Sequence, residues 1–244
     1  MVSFKDVENG VRILLTYNKN ATKLPEWTRE QDKVFMYSEH SNIMDDIKKY
    51  IWKCYKYVKN EWTERIHINM KNWSSELMNI EHLVEIDYLN VTMYDSMFEN
   101  FMVYANNEAN QPRNIRLLSS CINQMTVPPA FFKSQLFKNA DFFNVYNLHC
   151  QIDDCDFIET QNSFISIISS ISFEAIRGKV DKMNADVNAK AQTIFIDLPE
   201  EDTRRFGLNV LFPRADILDE QYYNVGKVHV SIHHSGKRLQ IVNH

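Results

Sequence analysis

Glycine is scarce. Only five occur in 244 residues, at Gly10, Gly178, Gly207, Gly226 and Gly236, too far apart to build a glycine-rich phosphate loop. Nucleotide enzymes of the P-loop and dinucleotide-binding kinds are therefore excluded. Charge of one sign is lacking too: 27 Lys and Arg oppose 32 Asp and Glu, a net −5. That balance gives no electrostatic footprint for nucleic acid or an anionic membrane, and neither is expected as a partner. No apolar run reaches the length of a membrane span. Met1–Gly10 carries acids where a signal peptide needs an apolar stretch. The chain is thus expected to be made without a secretory leader and to stay intracellular. There is no G-x-S-x-G elbow and no H-E-x-x-H pair, hence no serine-hydrolase nucleophile and no zinc-protease helix.

Aromatics, by contrast, are abundant. Phe, Tyr and Trp total 30 residues, far too many for a disordered chain. The length is ample for one core and short for two full domains, so residues 1–244 read as a single domain. Phe, Tyr, Met, Ile, Asn and Lys make up 99 residues against 31 for Gly, Ala, Arg and Pro, the bias of an A+T-rich genome.

Hydrophobic spacing predicts a mostly helical α+β protein. Ser41-Asn42 caps a helix with Asp45 and Asp46 in its first turn, and Ile43, Ile47, Ile51, Cys54, Val58, Trp62 and Ile66 follow at helical steps. A second helix is expected from Ser74 to about Asn106, and a third from Pro112 through Ile115, Leu118, Ile122 and Met125. Val127-Pro128-Pro129 ends the third. A short helix over 130–143, an extended acidic stretch over 145–158 and a long helix over 161–189 complete the helical part. Strands are expected at Val11–Tyr17 and Thr193–Leu198. Lys227–His234 and Lys237–Val242, flanking Ser235-Gly236, form a hairpin. No internal repeat stands out. The expectation is long packed helices with a small C-terminal β region. Residues 1–20 form an N-terminal arm able to exchange between molecules, anchored by Val11, Ile13 and Leu15.

No catalytic, cofactor-binding or metal-binding set emerges, and no cofactor is expected. Cys54, Cys121, Cys150 and Cys155 read first as reduced thiols. Cys150-x4-Cys155 is a single loose pair, short of a zinc site. All four remain disulfide candidates, with Cys150 and Cys155 in the more polar segment. Asp153-Asp154-Cys155-Asp156 lacks the Gly and terminal Glu of a calcium loop and reads as a solvated turn. Tyr50–Lys59 reads as an apolar helix face bordered by snorkelling lysines. His229, His233 and His234 read as surface imidazoles on the hairpin.

His229-Val230-Ser231-Ile232 resembles one half of the motif of two-histidine phosphoesterases, whose paired histidines act as acid and base on a phosphodiester. The candidate second half, His149-Cys150-Gln151-Ile152, has Gln in place of the hydroxyl residue. As a whole, the long-helix, site-poor, A+T-rich profile resembles the occlusion-body matrix proteins of insect viruses, the polyhedrins, in their nudivirus type. That resemblance implies a structural protein that self-assembles into a crystalline lattice. Its partners would be itself and virions. Disulfides and exchanged arms would fasten the lattice, inside occlusion bodies in the infected cell's nucleus. Two alternatives stand beside it: an interaction or regulatory protein of an A+T-rich virus or bacterium, and a phosphodiesterase of the two-histidine type.

Overall fold

The computed structural model describes residues 2–16, 30–39, 42–55, 65–71, 87–106, 112–119, 125–186, 188, 190–197, 216–219, 222–233 and 238–243. The chain divides into two compact units, Met1–Cys121 and Ile122–His244.

The first unit starts with strand β1 (Val2–Val7), which turns through Glu8-Asn9 into β2 (Gly10–Thr16). Asn9 takes a positive φ there, as Asn tolerates. β3 (Glu30–Met36) pairs antiparallel with β2. Helix α1 (Ile43–Tyr55) then leads to β4 (Arg65–Asn69), which lies parallel to β1. β5 (Tyr88–Met93), helix α2 (Phe98–Ala105) and β6 (Asn114–Ser119) continue parallel, giving the order β3-β2-β1-β4-β5-β6. Alternate residues Phe4, Ile13, Leu15, Ile66, Ile68, Leu89, Val91, Ile115 and Leu117 are buried on one face, the period-2 pattern of a sheet packed on one side. Phe35 meets Tyr50 of α1 edge-on at 5.5 Å, which places that helix over the apolar face.

The second unit repeats the parallel strand–helix scheme and ends in an antiparallel meander. β7 (Thr126–Val127) leads to helices α3 (Pro129–Phe132) and α4 (Gln135–Asn139), then to β8 (Phe142–Cys150). α5 (Asp154–Glu159), β9 (Phe164–Ile168), α6 (Phe173–Ala185) and β10 (Gln192–Asp197) follow. β8, β9 and β10 are parallel neighbours. β11 (Asp216–Asp219), β12 (Tyr222–Val225), β13 (Val228–His233) and β14 (Arg238–Asn243) then pair antiparallel, and β14 closes onto β10. Phe131, Phe132 and Phe137 cluster on Phe143 with ring centroids 5.1–6.1 Å apart, locking α3 and α4 to the sheet's apolar face. Ser134 and Ser172 cap α4 and α6, accepting from Phe137 N and Ala175 N at 3.3 and 3.0 Å.

In both units the crossovers from strand to parallel strand all step in one direction along the sheet. Right-handed crossovers that never reverse direction put their helices on one face. Among the described residues the crossover helices of each unit therefore share one face. A reversal of direction is also what opens the usual ligand crevice of doubly wound folds.

These findings overturn the helical expectation. Fourteen strands and six α-helices occur among the described residues, and the longest helices have 13 residues. The helix begun at Ser41-Asn42 starts as expected, with Asn42 Nδ2 donating to Asp45 Oδ2 at 2.7 Å, but residues 65–69 are strand, not its continuation. The expected 74–106 helix contains β5 before α2, and its first part lies outside the described residues. The expected 112–125 helix is β6, and the 161–189 helix is β9 followed by α6. The 130–143 segment breaks into α3 and α4 before β8, and the extended 145–158 segment turns helical at Asp154. The physical reason is common to all. A buried strand leading into a short helix offers apolar residues that fit a 3.6 period when the two are read as one. The β region is accordingly not confined to the C-terminus.

A repeat is present after all, in spacing rather than in residue identity. Strand starts fall 23 and 26 residues apart in the first unit (Arg65, Tyr88, Asn114) and 22 and 28 apart in the second (Phe142, Phe164, Gln192). An amide side chain near a strand start ties successive repeats together. Asn114 Nδ2 donates to Asp87 O and Oδ1 at 3.1 and 2.9 Å. Asn162 Nδ2 donates to Phe137 O and Ala140 O at 2.9 and 2.6 Å. Gln192 Nε2 donates to Thr160 O and Asn162 O at 3.3 and 3.0 Å. Each ties the entry of one strand to the segment that leads into the previous strand.

Candidate functional site

The face of the second unit's strands opposite its described helices carries a cluster of half-buried aromatic side chains. Register places three rows of residues across it. One row runs His229, Val242, Thr193, Phe164, Phe142, and the next Ser231, Gln240, Phe195, Ser166, Asn144. The third runs His233, Arg238, Asp197, Ile168, His149. Phe142 and Phe164 stack at 4.4 Å with planes 8° apart, and Phe164 meets Phe195 at 5.7 Å. The guanidinium of Arg238 lies 5.7 Å from the Phe195 centroid while its Nε and Nη2 donate to both oxygens of Asp197, at 2.5 and 2.6 Å. A bidentate ion pair thus fixes the guanidinium beside the ring. Tyr146, 43% exposed, stands two residues along β8 from Asn144 and accepts from Asn144 Nδ2 at 3.1 Å.

Two polar groups on this face bear on its chemistry. Asn144 is 7% exposed, and its Oδ1 is buried with no hydrogen-bond partner, an acceptor left open on the aromatic row. Ser231 Oγ lies 2.8 Å from His233 Nε2, the spacing of a nucleophile and its base. Gln240 Oε1 also lies 2.9 Å from that nitrogen. An amide oxygen as partner favours the tautomer with the proton on Nε2, which then donates to Gln240 Oε1. The His233–Gln240 contact ties β13 to β14.

Comparison with protein-family models, with characterised proteins and with solved structures returns no match.

The residues singled out in the sequence are scattered. His149 and His229 lie on β8 and β13, with β9, β10 and β14 between them, about 19 Å apart at roughly 4.8 Å per strand. That arrangement does not bring the two histidines to one phosphate. Cys150 is buried and Cys155 exposed, and both thiols are free in the single chain. Burial pushes the Cys150 thiol up to about 12. The side chain of Cys54 and all of Cys121 lie outside the described residues. Val11, Ile13 and Leu15 are buried on β2, which pairs with β1 on one side and β3 on the other. Exchange of that segment between molecules would require breaking both ladders.

The acidic turn is absorbed into local structure. Asp153 accepts from Lys133 Nζ at 2.8 Å, and Asp154 accepts from Ser172 Oγ at 2.5 Å. Among the described residues no group of three or more His, Cys, Asp or Glu is placed to hold a metal ion, and no helix is long and apolar enough to cross a membrane. Sequence reasoning missed Phe142, Phe164, Phe195 and Arg238 as a set. The signal was an aromatic directly next to an inward-facing residue on three separate strands, Phe142 beside Phe143, Phe164 beside Ile165 and Phe195 beside Ile194.

Proposed function

We propose that the protein is an interaction protein that binds another polypeptide through the strand face of its second unit opposite the described helices and performs no catalysis there. The observation that carries this reading is the cluster Phe142–Phe164–Phe195 with Arg238 beside it. Aromatic residues and arginine are the side chains that dominate binding energy at protein interfaces. Nucleic acid suits the face poorly. Arg238 is the one lysine or arginine in the three rows, and Asp197 already neutralises it.

The test begins with selection of peptides from a random library on the purified chain, followed by titration of synthetic copies. Phe164→Ser with Phe195→Ser should weaken binding by roughly tenfold or more while the melting temperature stays close to that of the unaltered chain. Equal binding by the double variant, or no selected peptide that binds on re-titration, removes the reading.

Self-assembly is the second reading, and the exposed thiol of Cys155 favours it, because such a thiol can bridge two copies under oxidising conditions. Sedimentation of the oxidised chain should then show dimers or larger species that revert with reductant and are absent in Cys155→Ser. A monomer under both conditions dismisses it.

A further inference from the structure

We infer that the first unit carries a binding site for an organic cation, an alkylammonium or guanidinium group, in the cleft where the parallel strands β1, β4 and β5 end. The cleft encloses about 450 Å³ and is walled by Asp6, Glu8, Tyr37, Asn69, Lys71 and Tyr94. It goes beyond the strand-face reading and rests on none of the same residues.

Asp6 decides the chemistry. Its Oδ2 accepts from the backbone N–H of Lys71 at 2.5 Å, which fixes the carboxylate between the end of β1 and the turn after β4. Its Oδ1 is buried and has no hydrogen-bond partner. A carboxylate oxygen withdrawn from water and left unpaired is costly, and a cationic donor relieves that cost more than a neutral one. Two tyrosines stand beside it. The hydroxyl of Tyr94 donates to Asn69 Oδ1 at 2.6 Å, so that ring is held in place by a bond across to β4. The Tyr37 hydroxyl is shifted up from its ordinary pKa, first by burial and then by the charge of Asp6, which places it within the field of that carboxylate. A carboxylate with flanking aromatic rings is the arrangement that recognises organic cations.

Competing occupants fit less well. Among the described residues no ammonium pairs with Asp6, although Lys5 and Lys71 both stand at the rim. Lys5 is directed by the strand alternation to the opposite sheet face, beside Arg12 in register. An anion would have to meet the open oxygen of Asp6. A metal ion would want several hard ligands, and among the described residues no group of three or more His, Cys, Asp or Glu assembles.

Titration calorimetry of the full chain tests the site, with agmatine and butylamine as cations, butylurea as the neutral control and a short arginine-containing peptide. Agmatine and butylamine should bind and butylurea should not. Asp6→Asn keeps an acceptor for the Lys71 N–H while removing the charge, and should weaken agmatine by roughly tenfold or more. Tyr37→Leu, at an exposed position that leaves the core intact, should weaken it as well, and Lys49→Ala, exposed on α1 and outside the cleft, should leave it unchanged. A peptide that outbinds agmatine identifies a partner's side chain as the source of the cation, and the reverse order identifies a free amine. The inference is overturned if no cation saturates the chain at millimolar concentration, if butylurea binds equally, or if both Asp6→Asn and Tyr37→Leu bind agmatine as the unaltered chain does.

Discussion

Lys179, only 2% exposed, donates from Nζ to the carbonyl oxygen of Thr160 at 2.5 Å, and to that of Ile158 at 3.3 Å. These are the carbonyls at the C-terminal end of α5, where a helix has unpaired acceptors and the negative end of its dipole. A buried lysine thus serves as the cap of a neighbouring helix. Burial, with the nearby charge of Lys182, lowers its pKa to about 8, while Glu159 opposes the shift. The native chain therefore releases this proton more readily than the unfolded chain. Between pH 8 and 10.5 the unfolded state binds more protons, and stability from this group rises with pH. Urea unfolding should show the unaltered chain gaining stability relative to Lys179→Met across that window. A constant difference between the two proteins would contradict the assignment.

Asn162 is buried, and its single Nδ2 group serves two carbonyls, those of Phe137 and Ala140. Asn162→Ala takes the donor from Ala140 O, while Phe137 O keeps the N–H of Ala140, and should cost about 1–3 kcal/mol for the group left unsatisfied. Asn162→Asp should cost more, since a carboxylate in that place faces two carbonyl oxygens with nothing to donate. Chemical denaturation of the three proteins gives the order directly.

The two described cysteines should differ sharply in reactivity. Cys155 is exposed on α5, whereas Cys150 is fully buried and its thiol is held neutral well above physiological pH. Iodoacetamide at neutral pH should label Cys155 in the native chain and reach Cys150 only after denaturation, as read by peptide mass mapping. Labelling of Cys150 at a comparable rate would mean that β8 opens in the native state.

Gly226 turns β12 into β13 with φ of +63°, and α6 clamps that turn. Asn184 donates to Val225 O at 2.8 Å and accepts from Lys227 N at 2.9 Å. A Cβ on Gly226 would lie 2.5 Å from Asn184 Oδ1. Gly226→Ala should cost about 1–2 kcal/mol from the strained conformation alone, plus the displaced clamp. In a double-mutant cycle with Asn184→Ala the two losses should fall short of additive, because both substitutions release the same contact.

The elements legible in the sequence are those whose ends carry their own chemistry. Asn42 with Asp45 and Asp46 marked the start of α1, and Ser235-Gly236 between alternating runs marked the β13–β14 pairing. Thr193–Leu198 and Val11–Tyr17 fell on β10 and β2 to within a residue or two. The parallel strands hid themselves. Phe164-Ile165-Ser166-Ile167-Ile168 alternates inward and outward in the fold, yet its outward positions are also apolar, so the period of two is masked. In β5, Leu89 and Met93 lie four apart and match a helical step, although Val91 between them is the residue that gives the strand away. Asn114, Asn162 and Gln192 were a readable trace of the repeat, one amide near each strand start. Their partners are main-chain carbonyls, which have no signature in sequence. The candidate cleft was illegible for a related reason. Asp6 and Tyr94 are far apart in the chain, and only the parallel pairing of β1, β4 and β5 brings their surroundings together.

The unidirectional winding of each unit has a consequence for descent. A strand–helix segment whose crossover always steps the same way can be duplicated or deleted as a block, since its neighbours need only the same ladder and one amide at the point of entry. Such a block changes the breadth of the sheet without altering the hand of the chain. Diversification in a lineage built this way should therefore proceed by gain and loss of whole segments of about two dozen residues, with the outward-pointing side chains free to drift while the amides and inward aliphatics stay fixed.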